Sequence, residues 1–463
     1  MLSTADLIAL VKDELMPGWR KEKTRLDWID RWYRWDPDDI KLPRSATPEL
    51  RALRGLSRVP WLGHVVTSTA QCMYVDGYRS TLDPVGRPED AEPDGPWRVW
   101  LANGWDQRQT AVHRAMLAYG HAYATALPGE DFQGSPMPVL RGVSPRQMWA
   151  AYEDPADDDW PKYAMRVIRS GDTGSLVQVF DDQFIYTVTE RVGVGSDVSP
   201  YTVDDVMSHG AGVCPVVRYA NQLDLDGRTP GEVEPHIPLA SRINKTSYDR
   251  MLTQHFNSWK VRTIAGMSEP DTEENVIRER LKLRQDDLLV AEDPDTKFGT
   301  LDETQLGGFI AAHEADIEAL AAVTQTPTHE LTGKLINVSA EGLAMIRASQ
   351  MQKVTERQKS AGRSHAQLLR LAAALAGDTK HAEDITGRVT WQDTSIRSMA
   401  QAVDALVKLA AIGVPHEALW GRVPGVERSD VEEWIELAER LDPINRMSDQ
   451  LNRQQLPPAP DAA

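Results

Sequence analysis

One Gly-Lys pair in the chain could belong to a phosphate-binding loop. A phosphate-binding P-loop needs a glycine-rich turn, whose amides surround the phosphate, followed by a lysine and then a serine or threonine for magnesium. The chain has one Gly-Lys pair, Gly333-Lys334, but Leu335 follows it and Thr328 stands where the first glycine is required. The sequence therefore does not predict a P-loop.

Other catalytic motifs are also incomplete. A zinc-protease helix needs a second histidine one turn after a His-Glu pair. Each of the three His-Glu pairs has another residue there: Ile317 after His313-Glu314, Gly333 after His329-Glu330 and Trp420 after His416-Glu417. Gly193 and Gly195 lack the third glycine of a dinucleotide loop, and no Gly-x-Ser-x-Gly turn exposes a nucleophile. We expect no catalytic residue, no metal site and no cofactor.

Acidic clusters leave one enzymatic alternative. Carboxylates occur in runs at Asp36–Asp39, Asp154–Asp159 and Asp286-Asp287. Magnesium-dependent nucleases place their carboxylates at the ends of separate strands and helices. Runs within one loop are explained more simply as solvated charge. A metal-dependent nuclease is therefore the least favoured function.

The net charge of the 463-residue chain is −18 at pH 7, which restricts how it could contact nucleic acid. Tight DNA binding needs clustered Lys and Arg against phosphates. An acidic surface instead repels a polyanion and lets it pass without being held. Solubility alone also explains such a charge.

The cellular compartment is indicated by the cysteines and by the apolar runs. Cys72 and Cys214 form no CxxC pair, so we expect neither a disulfide framework nor a zinc site, and a reducing cytoplasm fits. Met1–Asp6 lacks the pattern of a signal peptide, and no apolar run is long enough to span a bilayer.

The apolar spacing predicts a helical chain with one β-rich insertion. Residues 1–126 are mainly helical, with a helix from Trp97 to Tyr119 and a strand at 121–127. Short β-rich runs separated by Gly, Asp and Ser turns predict a small β domain within about 135–220. The predicted strands are Tyr163–Arg169, Leu176–Phe180, Phe184–Arg191 and Val213–Tyr219.

From Pro235 onward the chain is helical again. Two helices, 236–265 and 301–324, enclose a module of mixed composition at 266–300. Pro327 interrupts the following segment, 325–338, because proline cannot continue a helix. The next predicted helix begins near Ser339 and extends to about Ala376, or roughly 55 Å at 1.5 Å per residue.

One stripe of this long helix is only half apolar. Its members are Leu343, Ile346, Gln350, Val354, Ala361, His365, Leu368, Ala372 and Leu375. A helix in the core of its own chain is expected to bury a richer stripe. A mixed stripe suits packing against neighbouring subunits, or a helix that bridges domains through solvent. We therefore predict a subunit of a large assembly.

The order of these parts resembles the portal protein of tailed bacteriophages, in particular of siphophages that infect actinobacteria. The resemblance covers nearly the whole chain and is carried by short motifs in the same order. These are Pro60–Leu62, Val75–Arg79, Gly231–Pro235, Pro238-Leu239, Arg242–Thr246, Thr324–Pro327, Leu331, Asn337–Leu343 and Val389–Asp393. Gly342 departs from the pattern, since a better helix former is expected there.

The resemblance implies an α+β, mainly α, portal fold assembled as a ring. Its parts would be a wing at 1–235, stem helix 1 at 236–265, the clip at 266–300, stem helix 2 at 301–324, the tunnel loop at 325–338, the spine helix at 339–376, a wing return strand at 377–393, the crown at 394–445 and a disordered tail at 446–463.

The resemblance also implies a function. Portals form dodecameric rings at the unique capsid vertex, where double-stranded DNA enters during packaging and leaves during ejection. The implied partners are other copies of the chain, that DNA, the large terminase, the head–tail adaptor, and the major capsid and scaffold proteins, with no membrane. The protein would be part of the virion, assembled in the cytoplasm of the host bacterium.

The resemblance places two sets of residues near DNA. The tunnel loop contributes Thr328, His329, Lys334 and Asn337, and we expect Lys334 to touch the phosphate backbone transiently without reading bases. The stem bases either line the channel or pair with acidic neighbours across subunits; they are Arg242, Lys245, Arg250, Lys260 and Arg262. The alternative in the same class is an adaptor-like ring protein, although adaptors are usually much shorter.

Overall fold

The computed structural model describes residues 1–36, 39–82, 95–172, 174–192, 200–257, 262–265, 297–300, 305–334, 340–392, 399–420, 423, 426 and 428–441. The helices are α1 Thr4–Leu10, α2 Met16–Tyr33, α3 Pro48–Leu56, α4 Trp61–Ala70, α5 Gly95–Ala102, α6 Trp105–Tyr119, α7 Ile237–Asn257, α8 Gly307–Thr324, α9 Thr328–Thr332, α10 Ala340–Ala376, α11 Thr379–Glu383, α12 Met399–Ala411, α13 Glu417–Trp420 and α14 Arg428–Leu441. A π-helical turn, Val11–Leu15, joins α1 to α2, and a 3₁₀ turn, Glu234–His236, precedes α7.

The strands are β1 Val75–Arg79, β2 His121–Leu127, β3 Val139–Val143, β4 Met148–Ala151, β5 Tyr163–Gly171, β6 Gly174–Phe180, β7 Phe184–Arg191, β8 Tyr201–Ser208, β9 Val216–Ala220, β10 Arg262–Ala265, β11 Lys297–Thr300 and β12 Arg388–Trp391. Their order is β4-β5-β6-β7-β8 in one sheet and β3-β2-β9 in a second, with separate pairs β1-β12 and β10-β11. All of these pairings are antiparallel. The fold is α+β.

The chain divides into two compact units, which we call the first and the second unit. The first contains 1–37, 60–238 and 320–463, and the second contains 38–59 and 239–319. Among the described residues, no helix combines the length and the hydropathy needed to cross a membrane.

The predicted β domain is present in the first unit. Sequence periodicity located β5, β6, β7 and most of β9, but it missed β3, β4 and β8. One apolar cluster fills the space between the two sheets, with Tyr123, Val143 and Val216 from one and Phe180 and Ile185 from the other. A second cluster joins the α1–α2 segment to the five-stranded sheet, so helix and sheet share a core.

The predicted helix from Trp97 to Tyr119 is two helices. Gly104, with φ of +58°, stands between α5 and α6 in a left-handed conformation that glycine adopts without steric cost. Trp100 of α5 and Trp105 of α6 are both fully buried and meet edge to face at 6.1 Å between ring centroids. The break therefore places two large indoles in the same core.

The long helix is present as α10, 37 residues from Ala340 to Ala376, and it continues through Gly362. The expectation that its mixed stripe would pack against other subunits is wrong for most of its length. Gln350, Val354 and His365 are at most 1% exposed within this one chain. The polar members of the stripe have partners in their own subunit, so a polar stripe did not require a neighbour.

Helix α10 covers the β9 edge of the three-stranded sheet. The carbonyls of Arg218 and Ala220 in β9 accept hydrogen bonds from the hydroxyls of Ser364, at 2.9 Å, and Ser360, at 2.6 Å. The two serines lie one turn apart on α10, and the two carbonyls lie two residues apart on β9. Alternate carbonyls of the strand therefore face successive turns of the helix. A strand edge that could pair with another chain is thereby closed.

The predicted return strand is β12, which pairs with β1 more than 300 residues earlier in the sequence. Tyr78 lies opposite Val389, and Arg79 lies opposite Arg388. A Cβ at Gly387 would stand 2.0 Å from the Tyr78 hydroxyl, so the turn into β12 requires glycine. The strand packs against α10 at Gly362, where a Cβ would lie 3.5 Å from the Trp391 indole nitrogen.

The second unit contains α3 and most of α7 and α8. Asn244 of α7 donates a hydrogen bond of 3.1 Å to the buried carboxylate of Asp39, which fixes the 38–59 segment to this helix. In the β10-β11 pair, Arg262 lies opposite Thr300 and Ala265 opposite Lys297. Most of the predicted clip, 266–296, and the predicted tail, 446–463, lie outside the described residues.

Candidate functional site

A buried carboxylate, Glu232, lies at the centre of the first unit. It follows Gly231, whose backbone passes so close to Gly120 that a Cβ on Gly231 would lie 2.6 Å from the Gly120 nitrogen. The Glu232 amide then donates to the Leu117 carbonyl at 2.7 Å. The glycine in this motif is explained by that close approach, which directs the following side chain into the interior.

Two cations of α10 surround this carboxylate. Arg357 donates to Glu232 Oε1 through Nε at 3.0 Å and Nη2 at 2.9 Å, and Asn221 donates to the same oxygen at 3.1 Å. The Lys353 ammonium lies 3.9 Å from Glu232 Oε2. Burial raises the pKa of Glu232, but the charges of Lys353 and Arg357 more than offset it and hold that pKa below its usual range. The carboxylate is therefore ionised at neutral pH.

Lys353 also fixes the end of α8, which leads into the predicted tunnel loop. Its ammonium donates to the Thr324 carbonyl at 2.7 Å, where the helix dipole is negative. The chain then turns through Gln325, at φ +53°, with Gln325 N donating to the Ala322 carbonyl and Thr326 N to that of Ala321. This pattern is a Schellman motif with glutamine in the position that glycine usually holds.

The loop itself contains a short helix that the sequence did not predict. Within 325–338, Thr328–Thr332 form α9, which ends at Gly333 with φ of +68°. The Glu330 carboxylate of α9 accepts hydrogen bonds from the Ser68 hydroxyl of α4 and from Arg347 of α10, the latter at 3.0 Å. Gln350 donates to the same hydroxyl at 2.6 Å. The loop is thus attached to α4 and to α10 through Glu330.

The predicted loop residues differ in their exposure to solvent. Thr328, at its start, and Lys334, just after its end, are exposed, whereas His329 is half-buried. Asn337 lies outside the described residues. Glu330, which was not among the predicted site residues, is the residue that attaches the segment to α4 and α10.

The predicted stem bases divide into two groups. Arg242 pairs with Asp316 of α8 at 2.8 Å, and Lys245 pairs with Asp249 one turn later on α7. Both partners belong to the same chain, an arrangement that sequence reasoning did not consider. Arg250 is half-buried, and its charge adds to burial in lowering the pKa of His313. Lys260 and the side chain of Arg262 lie outside the described residues.

A chain of buried hydrogen bonds runs across the middle of α10. His113 Nδ1 lies 3.1 Å from the Met73 carbonyl, its Nε2 lies 2.8 Å from His365 Nε2, and His365 Nδ1 lies 2.9 Å from the Tyr219 hydroxyl. Burial lowers the pKa of His113 to about 4 and that of His365 well below its ordinary value, so both imidazoles are neutral at pH 7. Because the Met73 carbonyl only accepts and each neutral ring carries one proton, the hydrogen bonds then have one order, Tyr219 to His365 to His113 to Met73.

The residues that sequence reasoning missed are the internal partners of the loop and the long helix: Ser68, Glu232, Glu330, Arg347, Lys353 and Arg357. One signal was available, because Lys353 and Arg357 lie one turn apart on the stripe that contains Val354 and Ala361. Cations inside an apolar stripe indicate a buried carboxylate. In the described part of the chain, no three His, Cys, Asp or Glu side chains are grouped closely enough to hold a metal ion.

Comparison with known proteins gives one family. The family model described as phage portal protein, SPP1 Gp6-like, matches residues 13–447. A search of curated proteins found no match. Among solved structures, the neck of an empty GTA particle, computed with C6 symmetry, has a TM-score of 0.44 and 15% sequence identity, over 82% of this chain and 92% of that chain. The family match spans nearly the whole chain, and so the chain belongs to the SPP1 Gp6-like family of phage portal proteins, which are structural proteins of the head–tail connector.

Proposed function

We propose that this chain forms a dodecameric ring at the unique capsid vertex, through which double-stranded DNA is packaged and ejected. The observation that carries the proposal is the family match over residues 13–447. In this proposal the ring also docks the large terminase during packaging and the head–tail adaptor afterwards, and it contacts the major capsid and scaffold proteins. The domain boundaries given above, from the wing at 1–235 to the crown at 394–445, belong to the proposal.

The attachment of the loop supports a role in contact with moving DNA. Glu330 is held by Ser68 and Arg347, so α9 is fixed at one point, while Thr328 and Lys334 remain exposed at its two ends. A surface that must let DNA slide needs few fixed cations, because each phosphate contact adds affinity. The segment from Thr328 to Lys334 has one lysine, which is exposed, and it is attached to the first unit through Glu330, so it fits that requirement.

The assembly is tested directly by purifying the full chain and measuring its mass and shape. Mass photometry and negative-stain microscopy should show rings of about twelve copies with a central channel. A chain that stays monomeric in the presence of the scaffold and capsid proteins would contradict the ring. Rings of uniform but different subunit number would contradict only the dodecamer.

The loop is tested by Lys334→Ala in phage particles. We expect a lower packaging rate and genome yield, since the loss of one phosphate contact weakens binding equally for all sequences. Lys12→Ala is the matched control, because Lys12 is an exposed lysine of the first unit far along the chain from the loop. Packaging by Lys334→Ala at the wild-type rate and yield would show that Lys334 does not act on DNA.

A further inference from the structure

The outer face of α10 bears a groove with a concentration of positive charge. The groove has a volume of 530 Å³ and is bounded by α10 on one side and by residues 385–391 on the other. We call it the basic groove; its cations are Lys359, Arg363, Arg370 and Arg388. They face one carboxylate, Asp159, in a chain whose net charge is −18. The charge of the groove is thus opposite to that of the chain.

Asp159, the one carboxylate among the residues that line the groove, shows how the groove binds an acidic group. Asp159 Oδ1 accepts a hydrogen bond of 2.8 Å from Arg363, and the Asp159 carbonyl accepts one of 2.7 Å from the Gln367 amide. The Arg363 side chain is 73% exposed, so this pair does not close the groove. Lys359 and Arg388 are exposed beyond it.

The remaining groove has the anatomy of a protein-binding surface. Trp391 lines it, and Ile385 at its rim is 84% exposed. Tryptophan and arginine are the residues that most often carry the binding energy of interfaces. Lys359 and Arg370 are separated by about 16 Å along the helix, which corresponds to about five residues of extended chain. A duplex, which is convex and wide, would not enter a groove of this size.

We propose that the basic groove receives an acidic run from a second copy of this chain. The chain itself supplies such runs, with two or more carboxylates within a few residues, at 36–39 and 271–274. A third run, 153–159, already contributes Asp159 to the groove of its own copy. One side of α10 is buried within its own subunit, and the basic groove lies on a side of this helix that is open to a neighbour. The inference rests on the ring proposed above and specifies one of its contacts.

The test compares a charge-reversal variant with a matched control. Lys359→Glu/Arg388→Glu reverses two exposed cations of the groove, and Lys12→Glu/Lys21→Glu reverses two exposed cations of the first unit elsewhere. The groove variant should need at least about tenfold more protein to assemble, because like charges across an interface oppose docking. The control should assemble as the wild type does, and raised salt should weaken wild-type assembly.

Circular dichroism melting separates assembly from folding, and Lys359→Glu alone is used if the double variant melts early. Rings formed equally well by wild type and by the groove variant would overturn this inference and leave the proposed function standing. A wild-type chain that never assembles would overturn both. Unchanged rings with reduced DNA retention would assign the groove to DNA and also overturn the inference.

The partner segment is identified by zero-length carbodiimide cross-linking, which joins an amine to a carboxylate in contact. Rings are assembled from equal amounts of ¹⁴N- and ¹⁵N-labelled chain, so that mass spectrometry distinguishes links within a copy from links between copies. Lys359 should be joined to an Asp or Glu of another copy. If Lys359 gives only links within one copy, or none, in intact rings, a second copy does not occupy the groove.

Discussion

At the scale of single residues, the interior of the first unit depends on polar groups whose charges and protons match. Glu232 is shared by Arg357 and Asn221 and lies near Lys353, which also caps the last carbonyl of α8. A buried ion pair contributes little net stability when complete, but loss of one partner leaves an uncompensated charge. The cluster therefore determines how α8 and α10 are joined.

Glu232→Gln should destabilise the protein strongly. It leaves the buried Lys353 without a carboxylate and Arg357 with only the exposed Glu356 at 3.1 Å. We expect the free energy of unfolding to fall by about 3–5 kcal/mol. Urea denaturation followed by circular dichroism measures the change. Glu232→Gln/Lys353→Met, which removes one of the two cations, should recover part of the loss. A single variant within about 0.5 kcal/mol of wild type would show that the cluster is not a structural connection.

The buried histidines His113 and His365 make stability depend on pH. Their folded pKa values lie below the unfolded value of about 6.5, so the unfolded chain binds protons first as pH falls. The contribution of these neutral histidines to the free energy of unfolding is complete above about pH 6.5. It is lost progressively as the pH falls towards about 4, the folded pKa of His113. Scanning calorimetry at pH 7.5 and 5.5 should show a lower melting temperature at the lower pH.

His365→Gln tests the source of that dependence, since glutamine keeps a donor and an acceptor but does not titrate. The difference in melting temperature between pH 7.5 and 5.5 should shrink in the variant. It should not vanish, because burial also lowers the pKa of His121 to about 4. An unchanged difference would place the titration elsewhere.

At the scale of elements, periodicity predicted the parts whose pattern is local. The long helix and the strands β5 to β7 were predicted from the sequence pattern, whereas the return strand within 377–393 was implied by the resemblance. β4, only four residues long, and β8, with consecutive Asp204 and Asp205, have little alternation, so their pairing depends on the neighbouring strands. The stripe of α10 was misjudged for the same reason, because the partners of its polar members are distant in the sequence. Ser68, which is bonded to Gln350, lies 282 residues earlier, and Tyr219, which is bonded to His365, lies 146 residues earlier.

The turn after α8 offers a prediction at this scale. Gln325 is a non-glycine residue in the left-handed region, at φ +53°, in a Schellman motif. Gln325→Gly should raise the free energy of unfolding by about 1 kcal/mol, because glycine adopts this conformation without a Cβ penalty. Urea denaturation provides the measurement. Gln325→Ala is the control and should give no such gain; an equal gain from alanine would exclude the backbone as its cause.

At the scale of the whole molecule, the sequence predicted that the mixed stripe of α10 packs against neighbouring subunits, and the structure corrects this. The stripe that seemed too polar for a core is buried in its own chain, with Gln350 bonded to Ser68 and His365 to Tyr219. Obligate oligomers often have no stable folded monomer. Here the internal pairing of polar groups supplies the contacts that a neighbour was expected to supply.

The monomer should therefore be folded before any ring forms. At concentrations where mass photometry shows single chains, the first unit should keep its helical circular dichroism and melt cooperatively, because the core along α10 is complete. Leu368→Ala, at a fully buried position of that helix, should lower the melting temperature of the monomer, with a loss of about 2–5 kcal/mol. Ile346→Ala, on the same helix but 42% exposed, is the control and should change it little. A monomer that melts gradually, or that is equally insensitive to both substitutions, would show that the long helix acquires its core only from neighbouring subunits.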